Sequence, residues 1–367
     1  QKRIKKKTRR RDGKHGKKSV MTDLWTRLKT RSKPIFIYGM GNGAQKLFGI
    51  LEKYKIPVCG VFASDEFVRD KYFNGFKIKS YGDVRREYGD IIVLTAFGSN
   101  RRNVIDNIIR IAGECELYAP DIPVYGNTLF NNDYFHANIK DLEFVRSLLS
   151  DEYSKNVFDS IVNYKLSGNI RYLIGCECDK SEPFKNILKL KKDEIFVDLG
   201  AYRADTVLEF LKYAKSFKKI YAVEPDRKTF AKLKQQLSCK SDAGDIVCIN
   251  AAAGAFESSG RLEANRGRSS HLSDKGQPVQ VVTVDGILNG QRATYIKFDV
   301  EGGEHAAIDG ARQTIQSFKP RLKIAAYHRT QDLTEIVKQV LEIRDDYKVY
   351  MRHHPYIPAW DTDYYFI

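Results

Sequence analysis

Three acidic or imidazole-bearing steps hold the side chains most able to do chemistry in this sequence. Glu224, in Tyr221-Ala-Val-Glu-Pro-Asp226, stands where an apolar run ends, and a carboxylate there can accept hydrogen bonds from both hydroxyls of a ribose. Asp299 and Glu301 end a second such run in Tyr295-Ile-Lys-Phe-Asp-Val-Glu-Gly-Gly-Glu304, and His328 ends a third in Ala325-Ala-Tyr-His-Arg-Thr330. An acid or imidazole placed against a hydroxyl can take its proton and speed transfer to that oxygen by typically ~10²–10⁴-fold. Asp299, Glu301 and His328 are therefore the catalytic candidates. Each has a plainer use: Glu-Pro is an ordinary strand exit, acids favour the positive end of a following helix, and a histidine can simply cap a chain end. Gly302 and Gly303 would let the chain turn close to a ligand. The same oxygens and nitrogen could hold Mg²⁺, but no spacing requires a metal.

Strand ends must bring these groups to one rim. Ile195, Phe196, Val197 and Leu199 form a nearly continuous apolar run, suited to a strand buried on both faces of a parallel sheet. Gly200 ends it, and a helical pattern with Val207, Leu208 and Leu211 follows, its first amides capped by Asp205 or Thr206. Strand, tight turn and helix make a ligand site beyond the strand's carboxyl end. From residue 193 the pattern repeats. Strands 194–199, 219–223, 246–249, 280–284, 295–298 and 322–326 alternate with helices 205–215, 226–237, 303–317 and 331–343. The last two strands, 347–352 and 364–367, are joined by a loop too short for a crossover helix and must pair antiparallel.

Residues 193–367 resemble the FkbM-type methyltransferase family, which uses S-adenosyl-L-methionine (SAM). The resemblance rests on Val197 to Thr206, Glu224 to Asp226, Asn250-Ala-Ala-Ala-Gly254, Thr283-Val-Asp285, Lys297 to Glu304, and the closing Arg352-His-His and Trp360-Asp-Thr. It implies an α/β fold of the class I SAM-methyltransferase, Rossmann-like kind: a mostly parallel sheet with an antiparallel carboxyl-terminal pair. It implies O-methylation of a sugar, glycan precursor or other small polar metabolite. On this reading Asp198, Gly200, Ala201, Tyr202, Glu224, Pro225 and Asp299 bind SAM, and Asn250 and Ala251 flank its adenine. Ala204 replaces a glycine common in relatives, so its methyl narrows the pocket for the methionine end, while Arg203 can pair with the methionine carboxylate. His353 and His354 are expected at the surface.

The amino-terminal part opens as a second, smaller Rossmann-like α/β domain over residues 33–130. A strand from Lys33 to Tyr38 leads into Gly39-Met-Gly-Asn-Gly-Ala44 and a helix, so Gly39, Gly41 and Gly43 could approach a nucleotide and Asp65 could meet its ribose. The glycines could equally serve the turn alone. Residues 131–192 read as a helical connector, with an amphipathic helix after Asp141 and another around Val157 and Ile161. Tyr153, Tyr164 and Tyr172 could line a substrate site or pack on the surface.

The 367 residues carry a formal charge of +16, but residues 1–20 supply +10 of it and the remainder only +6. Residues 1–32 are thus read as a basic, disordered tail and lead-in. A nucleic-acid methyltransferase using that arm, and a non-catalytic nucleotide-binding module, are the competing readings. No apolar run reaches the ~18 residues of a membrane helix, no signal segment opens the chain, and six cysteines show no paired CxxC motifs. Cys176-Glu-Cys178 would share one face of a strand, without further metal ligands. A cytoplasmic enzyme with reduced thiols and no metal is expected, its oligomeric state open.

Overall fold

The computed structural model describes residues 22–64, 68, 72–238, 245–264, 270–273 and 276–367. The basic run 1–20 and Asp65 lie outside the described residues. Helix α1 (Leu24–Lys29) corrects the lead-in: Asp23 caps it through the Thr26 amide at 2.8 Å, and Leu24, Trp25 and Leu28 are buried against the first sheet's core. That sheet contains β1 (Ile35–Tyr38), β2 (Gly60–Ala63), β5 (Lys79–Ser80), β6 (Ile92–Thr95) and β7 (Glu116–Tyr118), all parallel in the order β5-β2-β1-β6-β7. A small ribbon, β3 (Tyr72–Phe73) and β4 (Phe76–Lys77), precedes β5. Helices α2 (Asn42–Lys53), α3 (Tyr81–Tyr88) and α4 (Arg102–Glu114) make the crossovers. Every residue of β1, β2 and β6 is buried, as parallel strands between helical layers must be.

The connecting region is helical. Helix α5 (Asn132–Leu148) starts earlier than its apolar half suggests, because Asn131 caps it through the Tyr134 amide. Helix α6 (Glu152–Ser167) ends at Gly168 in the left-handed conformation. Two short helices, α7 (Arg171–Ile174) and α8 (Ser181–Pro183), lead through a π-turn at Phe184–Leu188 to the second sheet. Cys176 and Cys178 lie in this irregular stretch and not on a named strand. Tyr164 is fully buried and donates to Ala119 O, so it packs rather than lining a site. One apolar cluster joins β1, β6, α5, α6 and the second sheet, so the two halves share a core.

The second sheet has seven strands: β8 (Glu194–Leu199), β9 (Phe217–Val223), β10 (Asp245–Ile249), β15 (Tyr295–Phe298), β16 (Arg321–Ala325), β17 (Val349–His353) and β18 (Thr362–Phe366). Their order is β10-β9-β8-β15-β16-β18-β17. The first five are parallel, and β18 is antiparallel to both β16 and β17, as the short final loop demanded. Helices α9 (Asp205–Tyr213), α10 (Arg227–Leu237), α11 (Val284–Leu288), α12 (Glu304–Asp309), α13 (Arg312–Phe318) and α14 (Asp332–Ile343) cross over it. Two expectations fail. The 280–284 strand belongs to a separate four-stranded sheet of β11 (Ala252–Ala253), β12 (Ser258–Ala264), β13 (Ser270–Ser273) and β14 (Gln277–Val282), because β14 pairs with the β12–β13 hairpin. The single 303–317 helix is two, broken at Gly310 and Ala311.

His353 and His354 also correct the reading. Both are buried, at 0% and 2% exposure, and burial lowers their pKa values to about 3 and about 4. His353 Nδ1 lies 2.8 Å from Thr362 Oγ1, and His354 Nε2 lies 3.3 Å from Tyr365 OH. The neighbouring strand β18 and the irregular stretch at Glu177 and Cys178 cover this strand end.

Candidate functional site

The carboxyl ends of β8, β9, β15 and β16 form one rim. In register, Lys297 on β15 lies beside Asp198 on β8, and its Nζ contacts Asp198 Oδ1 at 3.1 Å, Gly200 O at 3.0 Å and Asp299 Oδ2 at 3.5 Å. Asp198 is fully enclosed beneath the turn. It braces the turn through Lys297 by Oδ1, while its Oδ2 has no hydrogen-bond partner.

Gly200 has φ +80°, and a Cβ there would stand 1.9 Å from Asp299 O. Its missing side chain thus serves the close approach of two strand ends. The Gly200 and Ala201 amides both donate to Val223 O at 3.0 Å, and the Tyr202 amide donates to Glu224 Oε2 at 3.0 Å. Ala204, in the left-handed conformation at φ +70°, precedes α9, which no side chain caps; Asp205 and Thr206 lie inside the helix instead. The expected glycine at 204 is explained by backbone conformation, whose cost for an L-residue is roughly 1–2 kcal/mol. The Ala204 methyl packs in the apolar layer with Val207 and Phe210, so it does not narrow the cleft. Arg203 lies over the Tyr202 ring at 5.1 Å, and its Nε is buried with no hydrogen-bond partner.

Glu224 is 6% exposed at the end of β9. Its Oε1 accepts the Asp226 amide at 2.9 Å and its Oε2 accepts the Tyr202 amide, which leaves each oxygen a second lone pair. Burial pushes its pKa up to about 7, with the two amides opposing. Asn250 Nδ2 donates to the Glu224 and Pro225 carbonyls at 2.9 and 3.0 Å, which clamps the strand exit beside buried Ala251.

The acids after β15 meet the histidine after β16. His328 Nε2 lies 3.7 Å from Asp299 Oδ1 and 3.6 Å from Glu301 Oε2, while its Nδ1 lies 2.9 Å from Glu304 Oε1. The Tyr327 hydroxyl donates to Asp299 Oδ1 at 3.0 Å. Burial opposes the charge on His328, but Glu304, Glu301 and Asp299 outweigh it and raise its pKa to about 10. It is an imidazolium at neutral pH. Glu301, in the left-handed region at φ +55°, is pushed up to about 7, chiefly by burial. Asp299 is held below its ordinary range by Lys297 and His328 against burial. Glu301, not His328, is thus the group able to accept a proton near neutrality. His305 faces away, onto Gln339 and Asp332.

Sequence reasoning weighed Asp299, Glu301 and His328 and passed over Lys297, Glu304 and Tyr327, which complete the network. Strand alternation, which puts Lys297 and Asp299 on one face, was the available signal. Gly302, φ +94°, admits a neighbour: a Cβ would stand 2.8 Å from Tyr125 Cβ. Asp299, Glu304 and His328 are close enough to share a cation, and the Lys297 ammonium lies beside Asp299. In the first sheet, a Cβ on Gly43 would stand 2.2 Å from Ala96 O, and one on Gly39 would meet the Phe97 ring, so these two glycines also serve chain packing.

The carboxyl edge of the first sheet abuts this rim. Ser99, after β6, exchanges backbone hydrogen bonds with Ile357 at 2.9 and 3.1 Å, and the Tyr125 amide, after β7, donates to His328 O at 2.8 Å.

The methyltransferase FkbM domain model matches residues 198–357. Among solved structures, methyltransferase FkbM from Methylobacillus flagellatus KT is similar over 92% of this chain and 90% of that chain, at 23% identity and a TM-score of 0.67. The two-sheet plan is therefore a shared fold, and the seven-stranded sheet is of the class I methyltransferase kind. Precorrin-6y C5,15-methyltransferase from Geobacter metallireducens GS-15 matches over 50% of this chain and 83% of its own, at 14% identity and TM-score 0.32. Aeropyrum pernix fibrillarin, in complex with natively bound SAM, matches over 48% and 67%, at 10% identity and TM-score 0.31. A search of curated proteins returns no match.

Proposed function

We propose that this chain, whose carboxyl-terminal unit is a methyltransferase domain of the FkbM type, transfers a methyl group from SAM to an oxygen of a small polar acceptor such as a sugar or glycan precursor. The observation that carries this reading is the division of one rim into two chemistries. Glu224 lies at the β9 end, and the Asp299–Glu301–His328 network lies at the β15 and β16 ends.

The β9 side fits the donor. Glu224 has two lone pairs to spare for paired ribose hydroxyls, Asn250 and Ala251 stand beside it for the adenine, and the partnerless Arg203 Nε suits the methionine carboxylate. When bound, SAM supplies the methyl group from its sulfonium. The chain's own residues position and deprotonate the acceptor. Glu301 takes the hydroxyl proton, Asp299 stays ionised under the Tyr327 hydroxyl and holds the acceptor, and the His328 imidazolium steadies both acids. Alignment of acceptor and donor supplies up to ~7–11 kcal/mol of the barrier reduction in favourable cases.

Among the described residues no helix is long and apolar enough to cross a membrane, and the five described cysteines are free. Free thiols favour a cytoplasmic setting. The test is methyl transfer by the full chain from isotope-labelled SAM to a panel of sugars, sugar phosphates and nucleotide sugars. The expected product is an O-methyl ether, its formation slowed ~10²-fold or more by Glu301→Gln with SAM affinity kept. Labelling of nitrogen or carbon acceptors only would overturn the oxygen assignment.

A further inference from the structure

An arginine at the acid network's edge is held in place, yet among the described residues no carboxylate pairs with its guanidinium. Arg329 directly follows His328. Its Nε donates to Gly302 O at 2.8 Å, its guanidinium carbon lies 4.0 Å from the centre of the Tyr125 ring, and its backbone amide donates to Asp332 Oδ2 at 2.7 Å. Tyr125 belongs to the other half of the chain, and its amide is fixed on His328 O. Gly302 lets the ring come this close.

These contacts set the plane of the guanidinium. Other cations of the rim are consumed: Lys297 by Asp198 and Asp299, His328 by three acids, Lys323 by Asp363. Among the described residues the Arg329 guanidinium makes no ion pair, although Arg329 directly follows His328, which Asp299 and Glu301 face, and its own backbone amide rests on Asp332. With Nε engaged and one face covered, its two terminal nitrogens remain as a planar fork. That fork matches the paired oxygens of a carboxylate or phosphate. Because the side chain is ordered in advance, little further conformational entropy is lost when an anion docks.

We propose that Arg329 is a specificity residue for the acceptor, which carries a carboxylate or phosphate beside the hydroxyl that is methylated. This rests on the methyltransferase reading of the same rim. An acid-lined rim would repel such a group without a cation to receive it, and Arg203, by the β8 turn, is placed for the donor instead.

Titration calorimetry on the full chain at physiological salt tests it. Inorganic pyrophosphate and D-glucuronate are the probes, methyl glucoside the neutral control, with wild type, Arg329→Lys, Arg329→Gln and Arg203→Gln compared. At least one anion is expected to bind wild type, with affinity falling tenfold or more in both Arg329 variants and little in Arg203→Gln. Arg329→Lys keeps the charge and loses the fork, so it reports even if the glutamine variant folds poorly. Pyrophosphate alone would point to a phosphorylated acceptor, glucuronate alone to an acidic sugar. Binding of neither anion to wild type, or binding undiminished in Arg329→Lys and Arg329→Gln, would overturn the proposal. SAM titrated separately distinguishes this from failure of the methyltransferase reading, since Arg329→Lys should bind SAM as wild type does.

Discussion

Replacing His328 by glutamine separates a structural imidazolium from a catalytic base. The side chain is 1% exposed and faces Glu304 at 2.9 Å, with Glu301 and Asp299 at 3.6 and 3.7 Å. Removing one partner of a buried charge pair costs about 3–5 kcal/mol, because the carboxylates left behind lose their compensation. At an unfolding entropy of roughly 0.7–0.8 kcal/mol/K for a chain of this length, Tm should fall by about 4–7 °C at pH 7. The pH dependence has a definite sign. The folded pKa of His328 is raised from 6.5 to about 10, so its stabilisation is fully present below pH 6.5 and is lost as pH rises through about 10. Glu304 is lowered, so its share is present above 4.5 and is lost as pH falls through its folded value. Calorimetric melts of wild type and His328→Gln should therefore lie furthest apart between about pH 4.5 and 6.5, stay well separated at pH 7 and converge above pH 10. A variant that melts within 1 °C of wild type at pH 7 but has lost turnover would refute this reasoning and restore His328 as the base.

Two further outcomes follow from the same geometry. At saturating SAM, which removes the ionisation of Glu224 from the profile, the rate of methyl transfer should rise with pH through about 7 as Glu301 ionises, and Glu301→Gln should abolish that limb; a limb that survives the substitution assigns the base elsewhere. Gly43→Ala, whose Cβ would stand 2.2 Å from Ala96 O, should lower stability by about 2 kcal/mol or more in urea unfolding, whereas Gly41→Ala, with nothing within 4 Å, should stay within about 1 kcal/mol.

Much of the frame was legible because it is written locally. The strands Glu194–Leu199 and Tyr295–Phe298 fall where their apolar runs place them, and the antiparallel ending followed from loop length alone. Asp299, Glu301 and His328 do meet, since strand ends in one parallel sheet must share a rim. What failed depends on contacts between distant segments. Gly200 and Gly302 are legible as turn glycines, but not the neighbours that need their missing side chains, Asp299 O and Tyr125. His353 and His354 looked exposed, because nothing on that strand announces the distant Glu177–Cys178 stretch that packs on it. His328 looked like a base until three carboxylates around it fixed its charge.

The central claim, that this rim grips SAM through Glu224, is tested most directly by calorimetric titration of SAM into wild type and Glu224→Gln at pH 8, where the carboxylate is ionised. Two charge-assisted hydrogen bonds weakened to neutral ones should cost at least tenfold in Kd. Equal affinity for the two proteins, or no binding of SAM to wild type, would contradict the account.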